Sequence, residues 1–160
     1  MASARYLPQL NVRASGAVIE RVGAALGVAL PTAPNTVNTA GQRSALWLGP
    51  DEWLIVDEGT PLSEADVRQA FAPDWGSVVD VSANRVVFEL EGPAARDLLA
   101  HGCPLDLHPR VFGPGQCAQT LPARAAVILW QTDAAPRYRV LVRASFADHI
   151  TRWLADAASA

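Results

Sequence analysis

The chain contains no lysine and only two cysteines, and charged residues make up just 18% of its 160 positions. Two thiols, Cys103 and Cys117, are too few for a disulfide framework of the kind that holds small secreted domains together. No stretch approaches the roughly 18 apolar residues of a membrane span, and the start Met1-Ala2-Ser3-Ala4-Arg5-Tyr6 has no long apolar core of a leader. The reading is therefore a cytoplasmic protein with reduced thiols and no membrane partner. Thirteen basic against sixteen acidic residues give a net charge of −3 with no single-sign block, so nucleic acid is not a partner on charge grounds. A G-x-G-x-x-G or phosphate loop is also missing, and Gly113-Pro114-Gly115 reads as a turn.

What is present is apolar. Half the residues are hydrophobic, too many for a disordered chain, and the length suffices to bury roughly two-thirds of the unfolded surface without metals or disulfides. A strand over Leu7 to Val12 precedes a helix from Gly16 to Leu26, with Val18, Ile19, Val22 and Leu26 at helical spacing and Gly27 as its stop. Pro31 to Gln42 reads as an irregular polar loop. Ala45-Leu46-Trp47-Leu48 and Glu52-Trp53-Leu54-Ile55-Val56 flank Gly49-Pro50-Asp51 as a hairpin, and the second strand, apolar on both faces, should be central. Ser63 and Asp66 form a capping box, with Leu62 and Val67 as a hydrophobic staple, for a helix from Glu64 to Phe71. A strand over Ser77 to Val81 completes the order of a split βαβ unit.

The pattern then starts again. Arg85 to Glu91 alternates as a strand, Pro93 opens a short helix closed by Gly102, and Gln116 to Leu121, Ala126 to Trp130 and Arg137 to Val142 are further strands. Ser145 and Asp148 are read as the cap of a last helix with Phe146, Ile150, Trp153 and Leu154 on one stripe. The predicted fold is α+β: two ferredoxin-like (split βαβ) halves, about 5–82 and 84–157, packed as one domain over residues 1–160.

Candidate chemistry is sparse. His101, Cys103, His108 and Cys117 have none of the paired spacings of a zinc site, and Cys103, at a helix exit before Pro104, is poorly placed for a thiolate paired with any of His101, His108 or His149. Asp80, Ser82 and Arg85 cluster at a connection, where Asp and Ser satisfy turn amides and Arg85 can pair with Asp80. No catalytic, cofactor-binding or metal residue is assigned. Four of the five tryptophans, Trp47, Trp53, Trp130 and Trp153, fall on predicted core faces. Trp75, between Pro73-Asp74 and Gly76, is read as an exposed anchor, and Arg137, Arg139 and Arg143 on one strand face join it as interface candidates.

The stretch Trp47-Leu48-Gly49-Pro50-Asp51-Glu52-Trp53-Leu54 closely resembles the signature of the sarcosine oxidase gamma subunit family. Val79-Asp80-Val81-Ser82-Ala83-Asn84-Arg85, Gly92-Pro93-Ala94-Ala95-Arg96-Asp97-Leu98-Leu99, Gly102-Cys103-Pro104-Leu105-Asp106-Leu107 and Ser145-Phe146-Ala147-Asp148 follow in that family's order. The resemblance implies a fold related to aminomethyltransferase and folate-binding proteins. It implies as partners an alpha and a beta subunit that hold FAD, FMN and NAD, and a small zinc-binding delta subunit. The implied complex demethylates sarcosine oxidatively to glycine, hydrogen peroxide and a one-carbon unit for tetrahydrofolate, with this chain as a non-catalytic assembly subunit. The alternative is a free-standing folate-binding or aminomethyl-transfer domain, in which Asp80 and Arg85 would belong to an ancestral folate region.

Overall fold

A computed structural model describes residues 2–61 and 63–159. It separates into two compact units: Leu7–Ser82, and the residues up to Tyr6 together with those from Ala83 on. The chain opens on β1 (Ala2–Arg5), which no sequence signal announced, and then enters the first unit at β2 (Gln9–Arg13). There follow α1 (Val18–Leu26), β3 (Val37–Ala40), β4 (Arg43–Gly49), β5 (Glu52–Asp57), α2 (Glu64–Arg68) and β6 (Ser77–Asp80). The strands form one antiparallel sheet in the order β3-β4-β5-β2-β6. Without β3 this is the strand order of a ferredoxin-like unit, each helix crossing over one intervening strand.

Val18, Val22 and Leu26 of α1 are buried on the sheet together with Val12, Trp53, Ile55, Val67, Phe71 and Val78. Gly27, at φ 68°, ends the helix in the left-handed conformation that glycine adopts without a Cβ penalty. Strand β5 is central, as its composition demanded: Trp53 and Ile55 are buried on the helix-covered face, and Leu54 and Val56 are buried on the other. The indole N–H of Trp53 donates to the Pro31 carbonyl at 2.7 Å, which fixes the chain as it leaves α1. Ser63 and Asp66 do form a reciprocal capping box, and the α2 path continues through a 3₁₀ turn to Phe71. The Leu62 half of the expected staple lies outside the described residues.

The segment from Pro31 to Gln42 is not wholly irregular. Val37–Ala40 pairs with β4, and the Gly41-Gln42 connection has glycine at positive φ in the first central position of a two-residue hairpin turn. The strand was hidden because Asn38, Thr39 and Ala40 are all exposed and carry no apolar alternation.

The second unit continues with β7 (Arg85–Glu91), α3 (Ala95–Ala100), β8 (Gln116–Thr120), β9 (Val127–Asp133), β10 (Arg137–Arg143) and α4 (Ala147–Ala157). Its antiparallel sheet runs β1-β7-β10-β9-β8. The order matches that of the first sheet position for position, with β1 from the start of the chain where β6 stands in the first unit. The second unit thus ends on α4 and takes its fourth strand from residues more than eighty positions upstream, Ala2 opposite Leu90 and Arg5 opposite Val87.

Val86, Phe88, Leu90, Leu129, Tyr138 and Val140 form the core under α3 and α4, to which Leu99, Ile150 and Leu154 contribute. Gly102 follows α3 where a Cβ would lie 3.0 Å from the Trp153 indole, so the tryptophan lies directly against the backbone. The expected Ser145 cap of α4 is absent. Ala144–Phe146 forms a 3₁₀ turn, Phe146 occupies the cap position without a side-chain bond, and its ring is exposed instead of joining the buried stripe. The 3₁₀ turn carries Ser145 away from the amides it would have capped.

Candidate functional site

Trp75 is 92% exposed, and the loop that carries it is tied from several sides. The Asp74 amide donates to the Phe71 carbonyl at 2.7 Å. From α1, Arg21 donates through Nε to the Ala70 carbonyl at 3.2 Å and through a terminal nitrogen to the Phe71 carbonyl at 3.4 Å, and it pairs with the Asp74 carboxylate at 2.6 Å. Gly76 lies against Phe71 so closely that a Cβ would meet the ring at 2.1 Å and the Arg13 carbonyl oxygen at 2.7 Å. Phe71 is itself core, so the indole projects into solvent from a base anchored in the hydrophobic interior. An exposed aromatic on an anchored loop suits binding more than folding, because the backbone that presents it is already held and docking has less of it to order.

The arginines of β10 share one face of the second unit, opposite the core-facing Tyr138, Val140 and Val142. Arg137 pairs with Glu91 at 3.2 Å, both half exposed. Arg139 is largely covered: its Nε donates to Glu89 at 2.9 Å and its guanidinium lies 5.0 Å from the centre of the Trp130 ring. Arg5 reaches the same Glu89 oxygen at 2.7 Å. Burial pushes the Glu89 carboxyl up, but hydrogen bonds and charge from Arg5 and Arg139 outweigh it and leave the group below its ordinary value. Arg143 is exposed at the end of the strand. The structure therefore brings three of the four proposed contact residues onto one strand face, while Trp75 belongs to the other unit. Sequence alternation could show the shared face but not the covering of Arg139, which depends on cross-strand neighbours.

Asp80 closes its turn: the carboxylate accepts from the Ser82 hydroxyl at 2.6 Å and the Ser82 amide at 2.8 Å. These bonds hold its carboxyl below the usual range. The Ser82 hydroxyl oxygen also accepts from the Gln9 amide at 2.9 Å, so the pair locks the end of β6 to β2. The histidines are dispersed, with His101 bonded to the Asp97 carbonyl, His108 to the Arg110 amide and His149 to the Ala123 carbonyl. Among the described residues no group of three or more His, Cys, Asp or Glu could hold a metal ion. Both cysteines are buried thiols. An apolar recess of about 530 Å³ opens beside Leu90, Pro93, Leu98 and Leu154, with Glu91 and Thr151 among its few polar linings and no nucleophile and base arranged within it. Among the described residues the α-helices begin after Ala17, Ser63, Ala94 and Phe146, none on a G-x-G-x-x-G turn, so these helix starts do not fit a dinucleotide pyrophosphate.

Residues 12–160 match the model of the sarcosine oxidase, gamma subunit family. The chain belongs to this family. Sarcosine oxidase subunit gamma of Corynebacterium sp. (strain U-96) is 44% identical over 139 residues, which span 86% of this chain and 67% of the relative. The gamma subunit of an Arthrobacter species is 43% identical over 156 residues, 95% of this chain and 76% of that one. Among solved structures, a chain of the heterotetrameric sarcosine oxidase from Corynebacterium sp. U-96 in complex with pyrrole 2-carboxylate superposes with a TM-score of 0.91 at 40% identity. That match covers 99% of this chain and 84% of the other. The aminomethyltransferase T of the glycine cleavage system from Bartonella henselae superposes at a TM-score of 0.69 with 15% identity, over 96% of this chain and 45% of that one. At that identity the likeness shows a shared fold and no more. For a sarcosine oxidase gamma family member, the α+β architecture of two antiparallel sheets and the kinship to the aminomethyltransferase fold are thus both in place.

Proposed function

We propose that this chain is a non-catalytic assembly subunit of a heterotetrameric sarcosine oxidase, docking through Trp75 and the exposed arginines of β10 onto larger subunits. The supporting observation is the presentation of Trp75, exposed at the tip of a loop held by Arg21, Asp74 and Gly76. Arginine and tryptophan are the residues that most often dominate interface energetics, and a preformed loop lowers the ordering cost of contact. On this reading the flavins (FAD and FMN), NAD and tetrahydrofolate are held by the alpha and beta subunits, and zinc by the delta subunit. The assembled enzyme converts sarcosine to glycine, hydrogen peroxide and a one-carbon unit. Its place is the cytoplasm; among the described residues no helix is long and apolar enough to cross a membrane.

The test is co-expression of the large subunits with and without this chain. Assembly should require it, and Trp75→Ala should weaken assembly, whereas Asp80→Asn should leave the turnover of assembled enzyme nearly unchanged. Normal assembly without the chain, or loss of turnover in assembled Asp80→Asn, overturns the proposal. Titrating the full chain alone with tetrahydrofolate separates this reading from a free-standing folate-binding domain, which would bind it tightly.

A further inference from the structure

The two units correspond helix by helix as well as strand by strand. Val18 and Val22 are the buried first and fifth residues of α1, and Ala95 and Leu99 hold those places in α3. Val67 and Phe71 lie four and eight positions after the cap of α2, and Ile150 and Leu154 lie likewise after the cap of α4, all four of them buried. By this count Leu98 stands where α1 has Arg21, and Leu154 stands where the first unit has Phe71.

In the first unit that place is covered by the chain itself. From Phe71 the connection over residues 72–76 crosses to β6, with Gly76 against the Phe71 ring and Arg21 holding the Ala70 and Phe71 carbonyls. In the second unit α4 runs on to Ala157, and β1, which stands where β6 stands, is supplied by residues 2–5, so no connection crosses from α4 to it. The apolar recess of about 530 Å³ lies open there, with Phe88 and Leu90 of β7 beneath and Leu98 and Leu154 on the two helices beside it. The polar side chains of its lining are already committed: the Thr151 hydroxyl donates to the Ala147 carbonyl at 2.9 Å, and Glu91 pairs with Arg137 at 3.2 Å. An occupant therefore gains by burying apolar surface, and a charged or strongly polar group would lose its water without compensation.

We propose that this recess receives an aromatic side chain of a partner subunit, the ring taking the place that Phe71 takes in the first unit. The inference rests on the reading of the chain as an assembly subunit, and it adds a contact on the unit that does not carry Trp75. A ring fits because Leu154 is smaller than the phenylalanine it stands for, and Ala155 and Ala158 beside it add no bulk. Aromatic side chains bury roughly 150–250 Å² each, and those seated in apolar pockets commonly dominate interface energetics. Binding is non-covalent and breaks no bond.

The experiment compares the isolated full chain with the assembled enzyme. Ala155 is exposed on the recess while both native cysteines are buried, so iodoacetamide should alkylate Ala155→Cys selectively in the isolated chain. In the assembly the same thiol should react at least about tenfold more slowly, because access limits the reaction. Toluene, the side chain of phenylalanine as a free molecule, should bind the isolated chain saturably and the assembly not at all. Ala155→Trp, which fills the recess from within, should abolish toluene binding and weaken assembly by about tenfold or more without lowering the Tm of the isolated chain. If the large subunits assemble without this chain, the assembly reading falls and this proposal with it. If assembly needs the chain, the proposal alone is overturned by a thiol equally reactive in both states, by toluene binding to both or to neither, or by undiminished assembly of Ala155→Trp.

Discussion

Arg43 and Asp57 are register partners at the end of the β4–β5 pair, and the guanidinium Nε lies 2.6 Å from the carboxylate. The same arginine bonds the carbonyls of Leu26, at the end of α1, and Thr60, while Asp57 accepts the Gly59 amide at 2.8 Å. One ion pair therefore ties a helix end, a strand end and the following loop. With Asp57 8% exposed, removing the arginine strands a nearly buried carboxylate. Arg43→Ala should destabilise the protein by about 2–3 kcal/mol, less than for a fully buried pair because Arg43 is itself partly solvated. Urea denaturation at neutral pH measures it, and a loss below about 0.5 kcal/mol would place Arg43 among ordinary surface residues.

Two glycines provide a contrast in what a methyl group costs. At Gly76 a Cβ meets the core ring of Phe71 and a backbone carbonyl, neither of which can move far. At Gly59 the closest atom is the tip of the flexible Gln42 side chain. Gly76→Ala should cost about 2–3 kcal/mol, as overpacking against fixed neighbours does, and Gly59→Ala less than about 0.5 kcal/mol. Thermal melts of the two variants side by side check the difference, and equal losses would contradict it.

Local chemistry made much of the fold legible. The Gly49-Pro50-Asp51 turn, the Ser63–Asp66 box, the Gly27 stop and the alternation of Arg85 to Glu91 are each decided by residues a few positions apart. The failures have the opposite cause. Ala2-Ser3-Ala4-Arg5 carries no strand signal and is a strand because β7 offers it an edge, and Val37–Ala40 is held by its hairpin partner rather than by burial. Ser145 has a capping pattern, but the 3₁₀ turn takes it off the helix end. The candidate site shows the same division. Turn residues around Trp75 signalled an exposed aromatic, whereas the Arg21 clamp and the covering of Arg139 arise from contacts that only the folded chain brings together.

Glu89 links charge to acid stability. Its carboxyl is held below its ordinary value of 4.5, so it contributes stability that is fully present above that value and is lost as pH falls through the folded one. Arg139→Gln removes one of the two cations responsible, and the Glu89 pKa should rise. The stability gap between wild type and variant should be widest at neutral pH and narrow progressively below about pH 4.5 as the carboxylate is protonated. Denaturation at a series of pH values tests the sign, and a gap that widens in acid would refute it.

The Trp75 loop separates presentation from contact. Trp75 touches almost nothing in its own chain, so Trp75→Ala should leave Tm within about 2 °C of wild type while weakening assembly by about 2 kcal/mol or more, roughly 30-fold. Arg21 acts only through the loop it holds, and its pair with Asp74 is half exposed. Arg21→Ala should therefore cost little stability, about 1 kcal/mol at most, and weaken assembly by the ordering cost of a loosened anchor, about 0.5–1.5 kcal/mol. The double variant distinguishes this arrangement from two independent contacts. If the clamp serves only to position the indole, removing Arg21 after Trp75 is gone changes assembly hardly at all, and the two losses fail to add. Fluorescence anisotropy supplies a second readout, since the Trp75 indole should gain nanosecond motion in Arg21→Ala. Additive losses in the assembly assay, with anisotropy unchanged, would make Arg21 a contact residue in its own right and remove the clamp from the account.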